Sequence, residues 1–442
     1  MSATSSWVNL KISDVFAASC PGDWGAYGTP ENGVPVLRST NFRNNGSINY
    51  TDLVYRKIEK SRLAKRQVTR GSVLIEKSGG GPSQPAGRVV YCDSDFSGTA
   101  SNFVEVVKIK EEFNPQYIAF LLYRLYHDGL VLKYQQQTTG IINFKLNEYV
   151  DEQISLPSSK PEQTKIAEIL STVDRAIEQT EALIAKQQRL KTGLMQDLLT
   201  RGIDEHGNLR SEQTHKFKDS PLGRIPVEWE VVTLSHYVAR LDAGVSVNAD
   251  DAPCGSGQIG VLKTSALSKG RFLPEQNKSV IRDDISRVRT PLRRNTVLVS
   301  RMNTPALVGE SAYIERDYPE LFLPDRIWMT VLQDGKESAA RWIGFILTSP
   351  TARSYISLNA TGTSGSMKNL PKKSLLAMPI ASPNTLDEVD RITQILIKFE
   401  MSGNESASRL FKLRSLKTAL MQDLLTGRKR VTELLNNLEV PI

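Results

Sequence analysis

"LKTGLMQDLLT" fills residues 190–200, and "LKTALMQDLLT" fills residues 416–426. Ten of the eleven letters agree across 226 residues in a chain of 442. Each copy ends a longer stretch with helical periodicity. In the first, Ile166, Leu170, Val173, Ile177 and Ile184 recur at spacings of three, four and seven with charged residues between them, which makes an apolar stripe. Ser159 and Glu162 form an S-x-x-E start signal with Pro161 in the first turn, and Gly202 follows the last periodic residue. The second stretch opens with Thr385 and Glu388 as T-x-x-E, carries Val389, Ile392, Leu396, Phe399, Leu410, Leu413, Leu420 and Leu424, and stops at Gly427. Met401-Ser402-Gly403-Asn404 interrupts its pattern, and an interior glycine costs about 1 kcal/mol, so the sequence allows a kink or a break there and leaves open which.

A helix of about 39 residues is roughly 58 Å long and needs a partner along its length. The other copy is the obvious one, which predicts a coiled-coil pair. Apolar stripes tolerate many residue choices. Near-identity that includes polar Lys191, Gln196 and Asp197, matched by Lys417, Gln422 and Asp423, therefore suggests one surface presented twice to two copies of one partner.

The repeat extends upstream of each helix. "VPVLRSTNF" (34–42) corresponds to "IGVLKTSAL" (259–267), and "RGSVLIEKSGGGPSQPAGRVVYC" (70–92) to "RNTVLVSRMNTPALVGESAYI" (294–314). "PQYIAFLLYRL", "QQTTGIINFKL" and "ISLPS" are answered by "ARWIGFILTS", "NATGTSGSMKNL" and "LAMPIASP". The entry "SSWVNLKISDVF" resembles "VEWEVVTLSHYV", which follows a polar stretch read as a joint. The expected organisation is a β-rich domain at 1–157, a long helix at 158–202, a linker at 203–226, a second β-rich domain at 227–383, a second long helix at 384–427 and a tail at 428–442. The fold class is α+β with a pseudo-two-fold internal repeat.

The formal net charge of +8 favours an acidic partner, with nucleic acid the first candidate. The 40% hydrophobic content is ordinary for a globular protein, and neither an 18-residue apolar run nor a signal-like start is present, so a cytoplasmic protein without a membrane span is expected. Cys20, Cys92 and Cys254 lie far apart outside any CxxC arrangement, and four scattered histidines add no metal or triad pattern.

These features resemble the specificity (S) subunit of Type I restriction-modification systems. The resemblance spans essentially the whole chain and rests on "DSPLGRIPVEWEVVTL", the paired helix ends and the alternation of variable domain with shared helix. It implies two target recognition domains, each reading one half of a bipartite double-stranded DNA site. It implies antiparallel helices that set the spacing and dock two methyltransferase subunits, with motor-nuclease subunits joining the assembly. This chain would carry no cofactor and no catalysis; S-adenosylmethionine belongs to the methyltransferase, ATP and Mg to the motor. Half-sites about one DNA turn, some 34 Å, apart make a helical ruler physically sensible.

Catalytic alternatives have only partial motifs. "FSGTA" (96–100) and "NPQY" (114–117) imitate a methyltransferase cofactor loop and adenine box but lack a glycine and a proline. Pro324-Asp325 with Asp334 and Lys336 imitates a magnesium nuclease, with turn chemistry as the plainer reading. "SGGGPSQPAGR" (78–88) lacks the lysine of a phosphate loop. A scaffold without DNA would share the helices but would not need basic polar loops in both domains.

Base readers are expected among loop Arg, Lys, Asn, Ser and Thr residues. In the first domain these are Arg38, Ser39, Asn41, Arg43, Lys77, Ser78, Thr138, Thr139, Asn143 and Lys145. In the second they are Lys263, Thr264, Ser265, Arg301, Asn303, Thr361, Thr363, Ser366 and Lys368. Partner contacts are expected at Leu194, Met195, Leu198, Leu199, Leu420, Met421, Leu424 and Leu425.

Overall fold

A computed structural model of the chain describes residues 6–81, 84–138, 141–362 and 366–436. It divides into two compact units, one formed by residues 1–182 and 408–442 and the other by 183–407. The cut falls inside both long helices, which run Lys160–Thr200 and Leu386–Leu424. Each unit thus holds one β-rich body, the start of the helix that follows it and the end of the other helix.

The first unit is built on two sheets. One, entirely antiparallel, orders Phe16–Pro21, Val104–Ile109, Val73–Glu76 and Val89–Tyr91. The other orders Ala26–Tyr27, Val54–Lys57, Val34–Leu37 and Thr99–Ala100. The strand "VLIE" is buried along its whole length because both its faces are covered. Side-chain alternation sends Val73 and Ile75 into a core shared with the helices, and Leu74 into the core between the sheets. Helix Pro115–His127 closes the first core, starting at Asn114, whose side chain accepts the Tyr117 N–H at 2.9 Å. "NPQY" is thus a helix cap.

The second unit repeats this plan. Val238–Ala243, Ile327–Leu332, Thr296–Ser300 and Ser311–Ile314 form its antiparallel sheet, with Val297 and Val299 facing the helix core and Leu298 the other. The polar stretch 203–226 folds onto this unit, burying Ile203 and Ile225 in its core.

Within each unit the two helix segments run antiparallel. Asp174 pairs with Lys417 (2.7 Å) and Glu181 with Arg414 (2.7 Å) in the first; Lys191 pairs with Glu400 (3.1 Å) and Gln187 with Ser402 (3.1 Å) in the second. Asp174 and Glu400, like Lys191 and Lys417, are 226 positions apart, so one register governs both units. The break that the sequence left open at 401–404 does not occur: helix continues through Gly403, where an added Cβ would meet nothing within 4 Å. Exposure spares this segment any demand for an apolar stripe.

The start signals act differently from capping boxes. The Glu388 N–H does donate to Thr385 Oγ1 (3.3 Å), but its carboxylate binds Arg210 and accepts the Trp229 indole N–H at 3.2 Å. Glu162, fully buried, binds Arg430 at 2.6 and 2.7 Å. Each glutamate thus ties the start of one helix to the segment after the end of the other. Among the described residues no helix is long and apolar enough to cross a membrane.

Candidate nucleic-acid interface

In the first unit the strand Val34–Leu37 ends in a tight turn, Ser39–Asn41. Asn41, predicted as a base reader, is instead fully buried: it accepts the Arg38 N–H (2.8 Å) and donates to the carbonyls of Asn49 (3.0 Å) and Asp52 (2.8 Å). It is a turn anchor with no edge left for DNA. Arg88 supports the same turn from beneath, pairing with buried Glu76 at 2.7 Å and donating to the carbonyls of Ser39 (2.9 Å) and Phe42 (3.1 Å). The Glu76 hydrogen bond holds the guanidinium well protonated. Sequence reading passed over this pair, although an acid ending the apolar run "VLIE" signals a buried partner.

Above it, the short strand Ser78–Gly80 pairs with Ile141–Phe144, which pairs with Gln135–Thr138. The Ser39 hydroxyl donates to the Ser78 carbonyl (3.4 Å), and the Ser78 hydroxyl donates to Asn143. Ser39, Ser78 and Asn143 therefore converge. Lys77 is next to them in sequence but held by Glu105 at 2.9 Å, and Arg38 by Asp52 at 2.7 Å. Arg43 and Lys145 are exposed, the latter 3.1 Å from Glu148. Thr139 and the Thr138 side chain lie outside the described residues.

The second unit matches this hairpin with Met302–Asn303 paired to Lys368–Asn369. Arg301 donates to Asn369 (3.2 Å), Asn303 reaches Ser300 (3.4 Å), and the Lys368 ammonium donates to the Gly362 carbonyl (3.2 Å). Thr361 and Ser366 are exposed beside them, and Thr363 lies outside the described residues. Lys263, Thr264 and Ser265 sit on the turn after Gly260–Leu262. Lys263 pairs with Asp251 at 3.0 Å, and Ser265 donates to Gln276 at 2.9 Å. Hydrogen bonds from Lys263 and Lys278 hold the Asp251 carboxyl below its ordinary range.

The predicted partner contacts need correction. Met195, Leu198 and Leu199 belong to the core of the second unit and Met421, Leu424 and Leu425 to that of the first, with Leu194 and Leu420 packed against them. These positions close a core, which accounts for their apolar identity. What stays exposed in the repeated phrase is Leu190, Thr192, Gly193 and Gln196, and at the same register Leu416, Thr418, Ala419 and Gln422.

The nuclease-like residues do not converge. Asp325 precedes the strand Ile327–Leu332 and Asp334 follows it. Nine residues of largely extended chain put them on the order of 25 Å apart, too far to share a metal. Among the described residues no cluster of histidine, cysteine or carboxylate side chains is arranged to hold a metal.

Two β units of one plan, each closed by one end of a helix pair in a single register, define a repeat protein that offers two polar surfaces on duplicated supports. Residues 4–187 match the model of the Type I restriction modification DNA specificity domain. The Type I restriction enzyme MjaVIII specificity subunit of Methanocaldococcus jannaschii is 25% identical over 334 residues, 74% of each chain. The EcoEI specificity subunit of Escherichia coli is 26% identical over 172 residues, 39% of this chain and 29% of that protein. The crystal structure of the Type I S subunit from M. genitalium shares the fold with a TM-score of 0.61 at 14% identity, covering 96% of this chain and 97% of that one. Residues 4–187 thus match a Type I specificity domain, and the chain is similar over most of its length to a Type I restriction enzyme specificity subunit.

Proposed function

We propose that this chain selects the DNA site of a Type I complex, with recognition domains at 1–157 and 227–383 each reading one half of a bipartite sequence. The observation that carries the reading is the contrast between supports and surfaces. The helices repeat at a constant offset of 226 residues, while the polar hairpins above them differ, with Ser78 and Asn143 in one and Asn303 and Lys368 in the other. One support with two surfaces suits one partner and two different half-sites. On this reading Ser39, Ser78 and Asn143, and Arg301, Asn303 and Lys368, lie nearest the bases, while Arg43 and Lys145 serve phosphates. The helices act as spacer and dock two methyltransferase subunits through the exposed strips at 190–196 and 416–422. S-adenosylmethionine, ATP and Mg enter with the partner subunits.

The test is to express the chain with its candidate methyltransferase and map methylated adenines across a genome by single-molecule sequencing. The expected result is a split motif with a fixed gap that disappears when this chain is omitted. Methylation that persists without the chain, or a motif with no gap, overturns the reading.

A further inference from the structure

Residues 56–66, "RKIEKSRLAKR", carry six cations and one acid. The loop "CPGDWGAY" (20–27) folds against them. Buried Asp23 accepts from Arg62 at 2.7 Å and lies 3.9 Å from Arg66, whose Nε donates to the Pro21 carbonyl at 3.0 Å. Two cations are thus spent on holding the loop. Lys57, Lys60 and Lys65 remain exposed.

The loop in turn places aromatic side chains beside those cations. The Arg56 guanidinium lies 3.9 Å from the centroid of the Trp24 ring, and its buried Nε has no hydrogen-bond partner. Tyr27, across the strand pair from Arg56, is 77% exposed on an edge strand. Gly25 makes this approach possible: its φ is +53°, and an added Cβ would stand 2.4 Å from the Lys57 carbonyl oxygen. A stacked guanidinium is held flat and pre-oriented, a form suited to phosphate, and an exposed tyrosine adds a face for sugar or base.

This surface adjoins the interface described above. Arg56 pairs with Val34, at the other end of the strand that leads into Arg38 and Ser39. The strand's own three steps, Val34 to Leu37, span about 10 Å, close to three base steps of duplex. The second unit has Asp250 opposite Ser279 where the first has Tyr27 opposite Arg56. We propose that Trp24, Tyr27, Arg56, Lys57, Lys60 and Lys65 form a clamp on the phosphate backbone of duplex DNA beside the half-site of the first unit. The proposal rests on the DNA-reading function above.

The test uses the full chain co-purified with its methyltransferase and a duplex bearing the mapped motif, followed by fluorescence anisotropy over a salt series. Lys57→Ala with Lys60→Ala weakens binding roughly tenfold near 0.1 M salt, and the log-log salt slope becomes shallower by about two. Tyr27→Ala adds a severalfold loss. The methylated motif stays the same, because phosphate contacts carry no sequence information directly. Variants that match the wild type in affinity and slope overturn the clamp. So does intact DNA binding with loss of the co-purifying protein, which reassigns the surface to that partner. A wild-type complex that binds no duplex removes the DNA reading itself, whereas variants that match a binding wild type remove this contact alone.

Discussion

Glu388 shows how much one side chain holds in this fold. Its carboxylate accepts from Arg210, from the Trp229 indole and from the Ile203 N–H at 3.1 Å, all in a buried site. Breaking a buried ion pair by removing one partner leaves the other charge desolvated and typically costs about 3–5 kcal/mol. Glu388→Ala is accordingly expected to destabilise the second unit by about that amount in urea unfolding, and a change under about 1 kcal/mol would show that water or another group replaces the carboxylate. Gly202 belongs to the same knot. Its φ is +62°, and an added Cβ would lie 2.3 Å from the Trp229 ring and 2.4 Å from a Glu388 oxygen. Gly202→Ala combines left-handed strain with a clash against rigid groups, so a loss above about 2 kcal/mol is expected. Gly427 repeats the feature in the first unit, where an added Cβ would stand 2.9 Å from Trp7.

At the scale of the element, other glycines have the opposite sign. Gly193 and Gly403 lie inside the long helices, and an added Cβ at either meets nothing within 4 Å. Alanine already occupies position 419, the counterpart of 193. Gly193→Ala and Gly403→Ala should each stabilise the fold by about 0.5–1 kcal/mol, measured as a higher urea midpoint with an unchanged m-value. A loss on Gly403→Ala would point to a bend that the glycine permits. These helices were legible because periodicity over some forty residues averages out local noise, as with Ile166, Leu170 and Ile177. The repeat was legible because its landmarks kept their order. The core role of Met195, Leu198 and Leu199 was not, since a stripe does not say whether it faces its own domain, another helix or a partner. Nor was the burial of Asn41, because an asparagine in a turn reads the same whether it ties the backbone or meets a base. Trp24 and Arg56 escaped notice for a related reason: residues 32 apart become neighbours only through strand pairing.

At the scale of the whole molecule, duplication of the exposed strip makes a prediction about stoichiometry. Leu190 is 51% exposed and Leu416 47%, whereas Met195, Leu198 and Leu199, and Met421, Leu424 and Leu425, in the same repeated phrase are buried. Packing in this chain does not require leucine at either position, so their agreement calls for a cause outside it. On the reading proposed above, that cause is a partner subunit that meets the same strip twice, with Leu190 or Leu416 near the centre of each contact. A charge buried at such a centre is left unpaired and commonly costs several kcal/mol of binding, or more than a hundredfold in affinity. Native mass spectrometry of the chain with its methyltransferase should therefore give two partner copies for the wild type. Leu190→Glu alone and Leu416→Glu alone should each leave one copy, and the double variant none. Neither change touches the polar hairpins, so DNA affinity of the isolated chain should hold in all three. Two copies retained in the double variant would place the dock elsewhere. Loss of both copies in a single variant would mean that the two sites do not act independently, and that the repeat serves cooperative assembly rather than two separate contacts.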